Sequence, residues 1–210
     1  MSPPPHRTQA AVRREYGRFA PTYDRVWERY LERSIGLTVD HLPLTAASRV
    51  IDVGCGTGLL LDQLGRTHPE VELVGLDLSP RMLTVARRRL AGRASLTVAD
   101  AAALPLRQGG ADVLVSSSVF HHLPEPALAL AEWRRVLRPG GRLVVTDWCR
   151  DFAAIRLLDL VLRGVDRAHV RTWSATEIHA LLLEAGFIDV EVRRHRQGWF
   201  WGMMAITAGV

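Results

Sequence analysis

The stretch Val50-Ile-Asp-Val-Gly-Cys-Gly-Thr-Gly58 decides the fold of this chain of 210 residues. It begins with a short apolar run that is typical of a buried strand, and an apolar helical segment follows it at Leu59. A glycine-rich turn between a strand and a helix lets the backbone approach a ligand closely, and nucleotide-binding α/β proteins use this arrangement. The stretch therefore predicts a nucleotide-binding α/β domain.

Short apolar runs alternate with helical segments along most of the remaining chain, which is the pattern of a parallel sheet covered by helices. We predict strands at residues 49–53, 72–77, 95–99, 111–117, 142–147, 187–193 and about 198–207. We predict helices at residues 59–66, 80–90, 126–137, 152–165 and 174–185. Residues 10–41 carry apolar and aromatic side chains at helical intervals, and Pro21 divides them into two further helices.

The spacing of the glycines narrows the choice of ligand. Gly54, Gly56 and Gly58 form the pattern G-x-G-x-G. The dinucleotide fingerprint requires its last glycine one position later, where this chain has Leu59. A P-loop requires a lysine, and each of the 27 Lys+Arg residues is an arginine. Dinucleotides and nucleoside triphosphates are therefore disfavoured.

Acidic residues after the predicted strands favour a different nucleoside. Asp77 ends the second strand, where a carboxylate can accept hydrogen bonds from both hydroxyls of a ribose. Asp100-Ala101 follows the third strand and can hold an adenine amino group, with Leu78 and Met82 on the two faces of the ring. Asp52 adds negative charge, which repels phosphates and attracts a sulfonium with an ammonium group. These features point to S-adenosylmethionine.

Five stretches together resemble class I S-adenosylmethionine-dependent methyltransferases, in particular the ubiquinone and menaquinone methyltransferase group. They are Val50 to Gly58, Gly75-Leu-Asp-Leu-Ser-Pro-Arg-Met82, Ala99-Asp-Ala-Ala-Ala-Leu-Pro105, Ser117 to Pro124 and Arg135-Val-Leu-Arg-Pro-Gly-Gly-Arg-Leu143. The resemblance implies a Rossmann-like three-layer α/β sandwich with a seven-stranded, mostly parallel sheet whose last strand is reversed. It also implies that Ser117 contacts the methionine part of the cofactor and that Tyr23 closes the N-terminal helix over it.

We expect one methyltransferase domain, because a chain of this length can bury a full core. Its expected parts are a disordered tail at 1–9, an N-terminal helical lid at 10–41, a cofactor-binding core at 49–147, a substrate-side helical segment at 148–173 and a C-terminal helix with strands at 174–210. The predicted contacts of S-adenosylmethionine, and of its product S-adenosylhomocysteine, are Tyr23, Asp52, Gly54, Cys55, Gly56, Asp77, Leu78, Met82, Asp100, Ala101 and Ser117. No metal site is expected.

Two adjacent histidines follow the fourth predicted strand, at the edge where open α/β sheets bind ligands. Histidine titrates near neutral pH and can serve as a general base when the methyl acceptor carries a proton. We predict that His121 is catalytic and that His122 instead ties down its loop by hydrogen bonds. Tyr16 and Phe19 are interpreted as packing residues.

The acceptor is expected to be a small, aromatic or hydrophobic molecule, such as a quinone precursor, a natural product or a lipid. An aromatic wall motivates this prediction, with Arg150 and Arg171 near it; its members are Trp27, Tyr30, Trp148, Phe152, Trp173, Trp199 and Trp201. Three alternatives stay open: a phospholipid N-methyltransferase at a membrane surface, an RNA methyltransferase, and a non-catalytic protein that binds S-adenosylmethionine. Arginines along the N-terminal helices favour the first of these.

Charge and composition set the expected location and partners. The formal net charge of +5 is spread thinly along the chain, so nucleic acid is a disfavoured partner and peripheral membrane contact remains open. The two cysteines, Cys55 and Cys149, are too few for a disulfide framework. We therefore expect a reduced, cytoplasmic setting. Because no apolar stretch reaches about 18 residues, we expect no membrane span.

Overall fold

The computed structural model describes residues 5–45, 48–198 and 200–210. The strands are β1 (Arg49–Val53), β2 (Glu72–Asp77), β3 (Ser95–Val98), β4 (Ala111–Ser117), β5 (Leu137–Trp148), β6 (Ile188–Gln197) and β7 (Trp201–Gly209). The helices are α1 (Pro5–Phe19), α2 (Tyr23–Val39), α3 (Leu59–Thr67), α4 (Pro80–Leu90), α5 (Pro126–Val136), α6 (Ala153–Val165) and α7 (Ala175–Glu184), with a 3₁₀ turn at Phe120–His122.

The strands form one seven-stranded sheet in the order β3-β2-β1-β4-β5-β7-β6. Strand β7 runs antiparallel to both of its neighbours, and the other pairs are parallel, which confirms the predicted reversed last strand. The chain passes from β1 outward to β2 and β3 and then returns to the other side of β1 as β4. This change of direction makes the carboxyl ends of β1 and β4 the expected position of a ligand.

Helices cover both faces of the sheet because successive side chains of a strand point to opposite faces. Val50 packs in a core cluster with residues of α2, α3 and α4. The next residue, Ile51, packs in a second cluster with residues of α5 and α7, including Trp133 and Ile178. The result is the predicted three-layer α/β sandwich.

The element bounds differ from the predictions most at the starts of β5 and α1, and strand β6 also continues to Gln197 rather than ending at residue 193. Strand β5 begins at Leu137, which pairs with Ala111 before a register shift, so the following Pro-Gly-Gly segment belongs to an irregular start of the strand. Helix α1 begins at Pro5, and residues 5–9 of the expected disordered tail are therefore helical. Contact with the rest of the protein explains this difference, since Gln9 forms a hydrogen bond with Asp100. Residues 1–4 lie outside the described residues.

The start of α4 shows how local sequence positions the site. Ser79 caps the helix by accepting a hydrogen bond from the main chain of Met82, and Pro80 occupies the first turn, where its missing N–H costs nothing. Met82 therefore lies at a fixed distance from the end of β2. In the described part of the chain, no helix is both long enough and apolar enough to cross a membrane.

Candidate functional site

A cavity opens where β1, β2 and β4 end, and helix α1 forms one of its sides. Its empty volume, counted together with the open solvent at its mouth, is about 840 Å³. Nine of the predicted cofactor contacts line it: Tyr23, Gly54, Gly56, Asp77, Leu78, Met82, Asp100, Ala101 and Ser117. The two remaining predicted contacts, Asp52 and Cys55, lie behind the lining.

The glycine loop forms the floor of this cavity. The main-chain N–H groups of Gly54 and Cys55 both donate to the carbonyl oxygen of Leu76, at 2.7 and 3.0 Å, which holds the loop against β2. Gly54 has a φ of +79°, and a Cβ atom on it would lie 2.3 Å from Val119. Gly56 has a φ of +54°, and a Cβ atom there would meet nothing within 4 Å, so its backbone faces open space. The loop therefore fits a ligand that lies directly on the backbone.

Asp77 is fixed by the main chain on both of its carboxylate oxygens. Its Oδ2 accepts a hydrogen bond from the N–H of Gly56 at 2.8 Å, and its Oδ1 accepts one from the N–H of Ser79 at 2.7 Å. Burial raises the pKa of Asp77, while these two hydrogen bonds oppose the rise. Since each carboxylate oxygen can accept more than one hydrogen bond, both retain capacity for the hydroxyls of a ribose.

Asp52 lies below the floor, and its side chain is almost completely buried. Burial, with a smaller contribution from the charge of Asp77, raises the pKa of Asp52 to about 8. Burial therefore favours the protonated carboxyl group and opposes the negative charge that was expected at this position. Asp52 lies on β1 in the centre of the sheet, paired with Gly75 of β2 and Val115 of β4, and this position indicates a structural role.

Cys55 directs its side chain into the protein rather than into the cavity. A Cβ atom on Gly75 would lie 2.9 Å from the Cys55 sulfur, so the thiol packs against β2. Burial raises the pKa of Cys55 well above its ordinary value, which keeps the thiol protonated and unreactive. Both Cys55 and Cys149 are free and buried.

Asp100 lies on the side of the cavity predicted to hold an adenine ring. Its Oδ1 accepts a hydrogen bond from the N–H of Ala102 at 3.0 Å, which fixes the carboxylate. Its Oδ2 accepts a second bond, at 2.7 Å, from the side-chain amide of Gln9 on α1. No sequence pattern indicated this contact, because Gln9 falls within the segment 1–9 that is expected to be a disordered tail. An adenine amino group would share the Asp100 carboxylate with Gln9.

Hydroxyl groups hold α2 against the ends of β4 and β5. Ser117 Oγ accepts from Thr146 at 3.0 Å and from Thr38 at 3.3 Å. The next residue, Ser118, has a φ of +59°, and its Oγ lies 2.5 Å from the hydroxyl of Tyr30. Ser118 lines the cavity beside Ser117. The positive φ of Ser118 thus lets its side chain reach Tyr30 of α2 while the residue itself lines the cavity at the end of β4.

The first turn of α2 is anchored to the glycine loop. Asp24 accepts a hydrogen bond from the hydroxyl of Thr57 at 2.6 Å and forms an ion pair with Arg89 of α4. This anchor places the neighbouring Tyr23 on the cavity, where its ring contacts that of Tyr16 at 5.8 Å between centroids. The lid is therefore attached on the side of the cofactor loop.

The two histidines occupy different environments. His121 is 3% exposed, its Nδ1 lies 2.6 Å from Asp147, and its ring stacks on Trp148 at 4.4 Å. It is not among the residues that line the cavity within the described chain. His122 does line the cavity. The role of His121 as a catalytic residue stays a prediction, and its contacts are those of a buried structural pair.

His122 is held by hydrogen bonds at both ring nitrogens. Its Nδ1 lies 2.8 Å from the carbonyl oxygen of Ala168, and its Nε2 lies 2.6 Å from the hydroxyl of Tyr16. A carbonyl oxygen can only accept, so Nδ1 carries the proton and Nε2 accepts from Tyr16. Burial, followed by the charge of His121, lowers the pKa of His122 well below its ordinary value. The ring is therefore neutral, with its free lone pair directed at Tyr16.

The expected aromatic wall does not line the cavity. Trp201 and Trp148 pack against Tyr30, and Trp27 packs on Trp201, which fills the space between α2 and β7 with aromatic rings. Among the described residues, no tryptophan belongs to the cavity lining. Trp199 lies outside the described residues. The prediction that this wall forms the acceptor surface is therefore wrong for the described residues, because these rings pack against one another instead of facing the cavity.

Arg150 and Arg171, expected near the acceptor, instead bind one carboxylate. Both donate to Glu177, at 2.5 Å for each guanidinium. Burial would raise the pKa of Glu177, but these bonds and those from Ser174 lower it to about 2. The arginines therefore fix the start of α7.

The rest of the lining forms a second end of the cavity, which no sequence pattern indicated; we call it the acceptor end because we propose that the acceptor binds there. Tyr16 belongs to it, although it was interpreted as a packing residue, and Phe19 is half exposed. Gln9, Val12 and Tyr16 are spaced three and four residues apart, so one face of α1 covers the cavity. Loop residues after β4 complete this end: Ser118, Val119, His122, Leu123 and Pro124.

The fold and cavity define a Rossmann-like α/β protein with a cavity at the switch point of its sheet, where such proteins bind nucleosides. Comparison with known proteins identifies the family. A model described as Methyltransferase domain matches residues 51–145. Malonyl-[acyl-carrier protein] O-methyltransferase of Laribacter hongkongensis is 35% identical over 203 residues, which cover 87% of this chain and 67% of that protein. The chain therefore belongs to the S-adenosylmethionine-dependent methyltransferases, and S-adenosylmethionine is its cofactor.

Other similar proteins agree with this assignment. Demethylmenaquinone methyltransferase of Thermus thermophilus is 34% identical over 144 residues, covering 63% of this chain and 64% of that protein. The chain spans from 46% to 67% of the length of the first curated relatives that it matches. A solved S-adenosylmethionine-dependent methyltransferase of Thermotoga maritima has the same fold, with a TM-score of 0.77 at 23% identity and coverage of 94% of this chain and 99% of that one.

Proposed function

We propose that the protein methylates a small, largely apolar acceptor molecule whose reacting atom carries a proton. The observation that carries this proposal is the composition of the acceptor end: apolar Val12, Val119 and Leu123 surround one hydroxyl–imidazole pair, Tyr16 and His122. An apolar cavity with one oriented polar group is typical of small-molecule sites. The name of one relative, demethylmenaquinone methyltransferase, is consistent with such an acceptor.

We assign the cofactor to the other end of the same cavity. The ribose would lie on Asp77, the adenine between Leu78 and Met82 beside Asp100, and the methionine part along the glycine loop toward Ser117. The open backbone at Gly56 and the fixed carboxylate of Asp77 support this placement. When bound, S-adenosylmethionine supplies an electrophilic methyl group.

The protein's own residues then position the acceptor and receive its proton. Burial raises the pKa of Tyr16 well above its ordinary value, so its hydroxyl stays protonated and donates to His122 Nε2. An acceptor O–H or N–H can donate to the same Tyr16 oxygen. As the acceptor loses its proton to Tyr16, the original hydroxyl proton of Tyr16 moves to His122 Nε2, where the hydrogen bond from Nδ1 to the Ala168 carbonyl offsets part of the burial that disfavours the imidazolium. Most of the remaining rate acceleration comes from holding the reactants in contact.

The proposal is tested by methyl transfer from radiolabelled S-adenosylmethionine. Acceptor pools of hydroquinones, alkyl phenols, short-chain acyl thioesters and aminoalcohol phosphates are compared with total RNA. Label in solvent-extractable products of an apolar pool supports the proposal. Label in RNA or only in the phosphate pool contradicts it. Calorimetry with S-adenosylhomocysteine runs in parallel, so that binding without transfer to any pool identifies a non-catalytic binding protein and also contradicts the proposal.

A further inference from the structure

Helix α6 presents an apolar face to solvent. Leu157 and Leu160 are each 65% exposed, Val161 is 53% exposed and Val165 is 75% exposed. Single exposed apolar residues are ordinary, but a contiguous set on one helix marks an interaction surface. We call these four residues the α6 face.

The opposite side of α6 is firmly attached, so the α6 face is a permanent feature of the surface. Ile155 is fully buried. Asp159 is 2% exposed and accepts hydrogen bonds from the N–H of Thr172 at 2.5 Å and from His169 at 2.8 Å. Rotation of the helix to hide its leucines would break these bonds and expose a buried carboxylate, which is strongly unfavourable.

Arginines surround the α6 face. The exposed charged residues of α6 itself, all of which is described, are Arg156 and Arg163. Arg167 follows the helix, and neither it nor Arg156 has a carboxylate within ion-pair distance in the described part of the chain. This free positive charge next to an apolar strip is complementary to an anionic lipid surface, where aliphatic side chains enter the interface and arginines meet head groups.

The same surface continues onto the lid. A shallow groove is lined jointly by Val165 and Arg167 after α6 and by residues of α1, including Arg14, Arg18 and Phe19. Phe19 is 49% exposed and extends the apolar strip. The groove also contains one carboxylate, Glu15, whose pKa is raised by burial and by the nearby Asp166. Helix α1 thus touches the cavity with one face and borders the groove with another.

We propose that the α6 face, together with this groove, docks the protein on a membrane containing anionic lipid. A second copy of the chain is a poorer occupant, because a symmetric contact over the α6 face would bring Arg156 of both copies, which has no ion-pair partner among the described residues, into one interface. An acidic carrier protein would satisfy the arginines but would leave the four aliphatic side chains without an equally apolar partner. The proposal does not depend on which acceptor is methylated.

Vesicle sedimentation with the full chain tests this proposal. We expect the protein to sediment with phosphatidylcholine vesicles that contain phosphatidylglycerol, and to remain in solution with phosphatidylcholine alone. The variant Leu157→Gln/Val161→Gln should lose about tenfold or more in vesicle affinity, since two aliphatic side chains no longer enter the interface. The variant Arg156→Gln/Arg167→Gln should lose about fivefold per arginine. Added salt should weaken the arginine contribution and spare the apolar one.

The matched control is Leu128→Gln/Leu183→Gln. These leucines are exposed to a similar extent, 54% and 51%, but lie on α5 and α7. The control should bind vesicles as the unmodified protein does. All variants should keep the melting temperature of the unmodified protein. Equal vesicle binding by the α6 variant and the unmodified protein would overturn the proposal. So would absence of binding to either vesicle, or a concentration-dependent dimer in ultracentrifugation that the α6 variant abolishes.

Discussion

The two ends of the cavity are built in different ways. The cofactor end consists of turns that directly follow β1, β2 and β3, and each turn is held by its own main chain, as the two N–H bonds to Asp77 show. The acceptor end forms between segments far apart in sequence: Tyr16 meets His122 across 106 positions. In the assignment that we propose, local backbone geometry therefore holds the methyl donor, whereas long-range packing of α1 shapes the end that receives the acceptor.

The largest expected effect concerns the cofactor end. Asp77→Ala removes the carboxylate proposed to receive two ribose hydroxyls, and charge-assisted hydrogen bonds contribute about 1.5–3 kcal/mol each, so cofactor affinity should fall by about a hundredfold or more. Calorimetry with S-adenosylhomocysteine measures this. The control is Glu72→Ala, at the exposed start of the same strand. If Asp77→Ala loses no more affinity than Glu72→Ala, the cofactor does not bind at the end of the cavity to which we assign it.

The second prediction separates the neighbouring histidines. Tyr16→Phe and His122→Gln should each lower kcat by about a hundredfold while cofactor affinity stays within about threefold, because both belong to one proton-accepting pair. The double variant should be no slower than either single one, as expected of residues that act as a unit. Single-turnover rates measured with the identified acceptor provide the comparison.

His121→Gln is the contrasting variant. It breaks a buried contact with Asp147 and should lower the free energy of unfolding by about 3 kcal/mol. The pH dependence of turnover in the remaining folded protein should stay unchanged. If His121→Gln instead abolishes turnover at an unchanged melting temperature, the catalytic role predicted from the sequence belongs to His121 after all.

The third prediction uses the buried carboxyl under the cofactor end. The folded protein holds the proton of Asp52 up to about pH 8, whereas the unfolded chain releases it near pH 4. Between these values the unfolded state binds fewer protons, so Asp52 makes folding less favourable as the pH rises. Asp52→Asn should therefore gain stability over the original protein by up to about 1.4 kcal/mol per pH unit in this window. Urea unfolding at pH 5 and pH 7 measures the difference, and a constant difference would show that Asp52 is ionised in the fold.

The sequence predicted most of the fold because its signals are local. The glycine loop, the Ser79-Pro80 cap and the apolar strand runs each occupy a few consecutive residues, and their predicted bounds match the structure closely. The failures involve contacts that no local pattern encodes. Helix α1 extends to Pro5, where its Gln9 forms a hydrogen bond with Asp100. Trp148 and Trp201 do not line the cavity, because they pack against Tyr30. A pattern of aromatic residues indicates burial, but it does not say whether a ligand or another ring provides the contact.

The smallest expected effect tests whether the two ends are coupled through α1. The Gln9 amide donates to the Asp100 oxygen that is proposed to receive the adenine amino group. If both donors fit on this carboxylate, Gln9→Ala loses one part-buried hydrogen bond, and cofactor affinity should fall by about threefold, or somewhat under 1 kcal/mol. If Gln9 instead competes with adenine, Gln9→Ala should bind the cofactor more tightly and release it more slowly. Glu15→Ala, on the groove side of the same helix, is the control. Stopped-flow measurement of the association and dissociation rate constants of the cofactor distinguishes the two cases. If the affinity and both rate constants stay unchanged, α1 closes over the acceptor alone, and the cofactor and the acceptor bind independently.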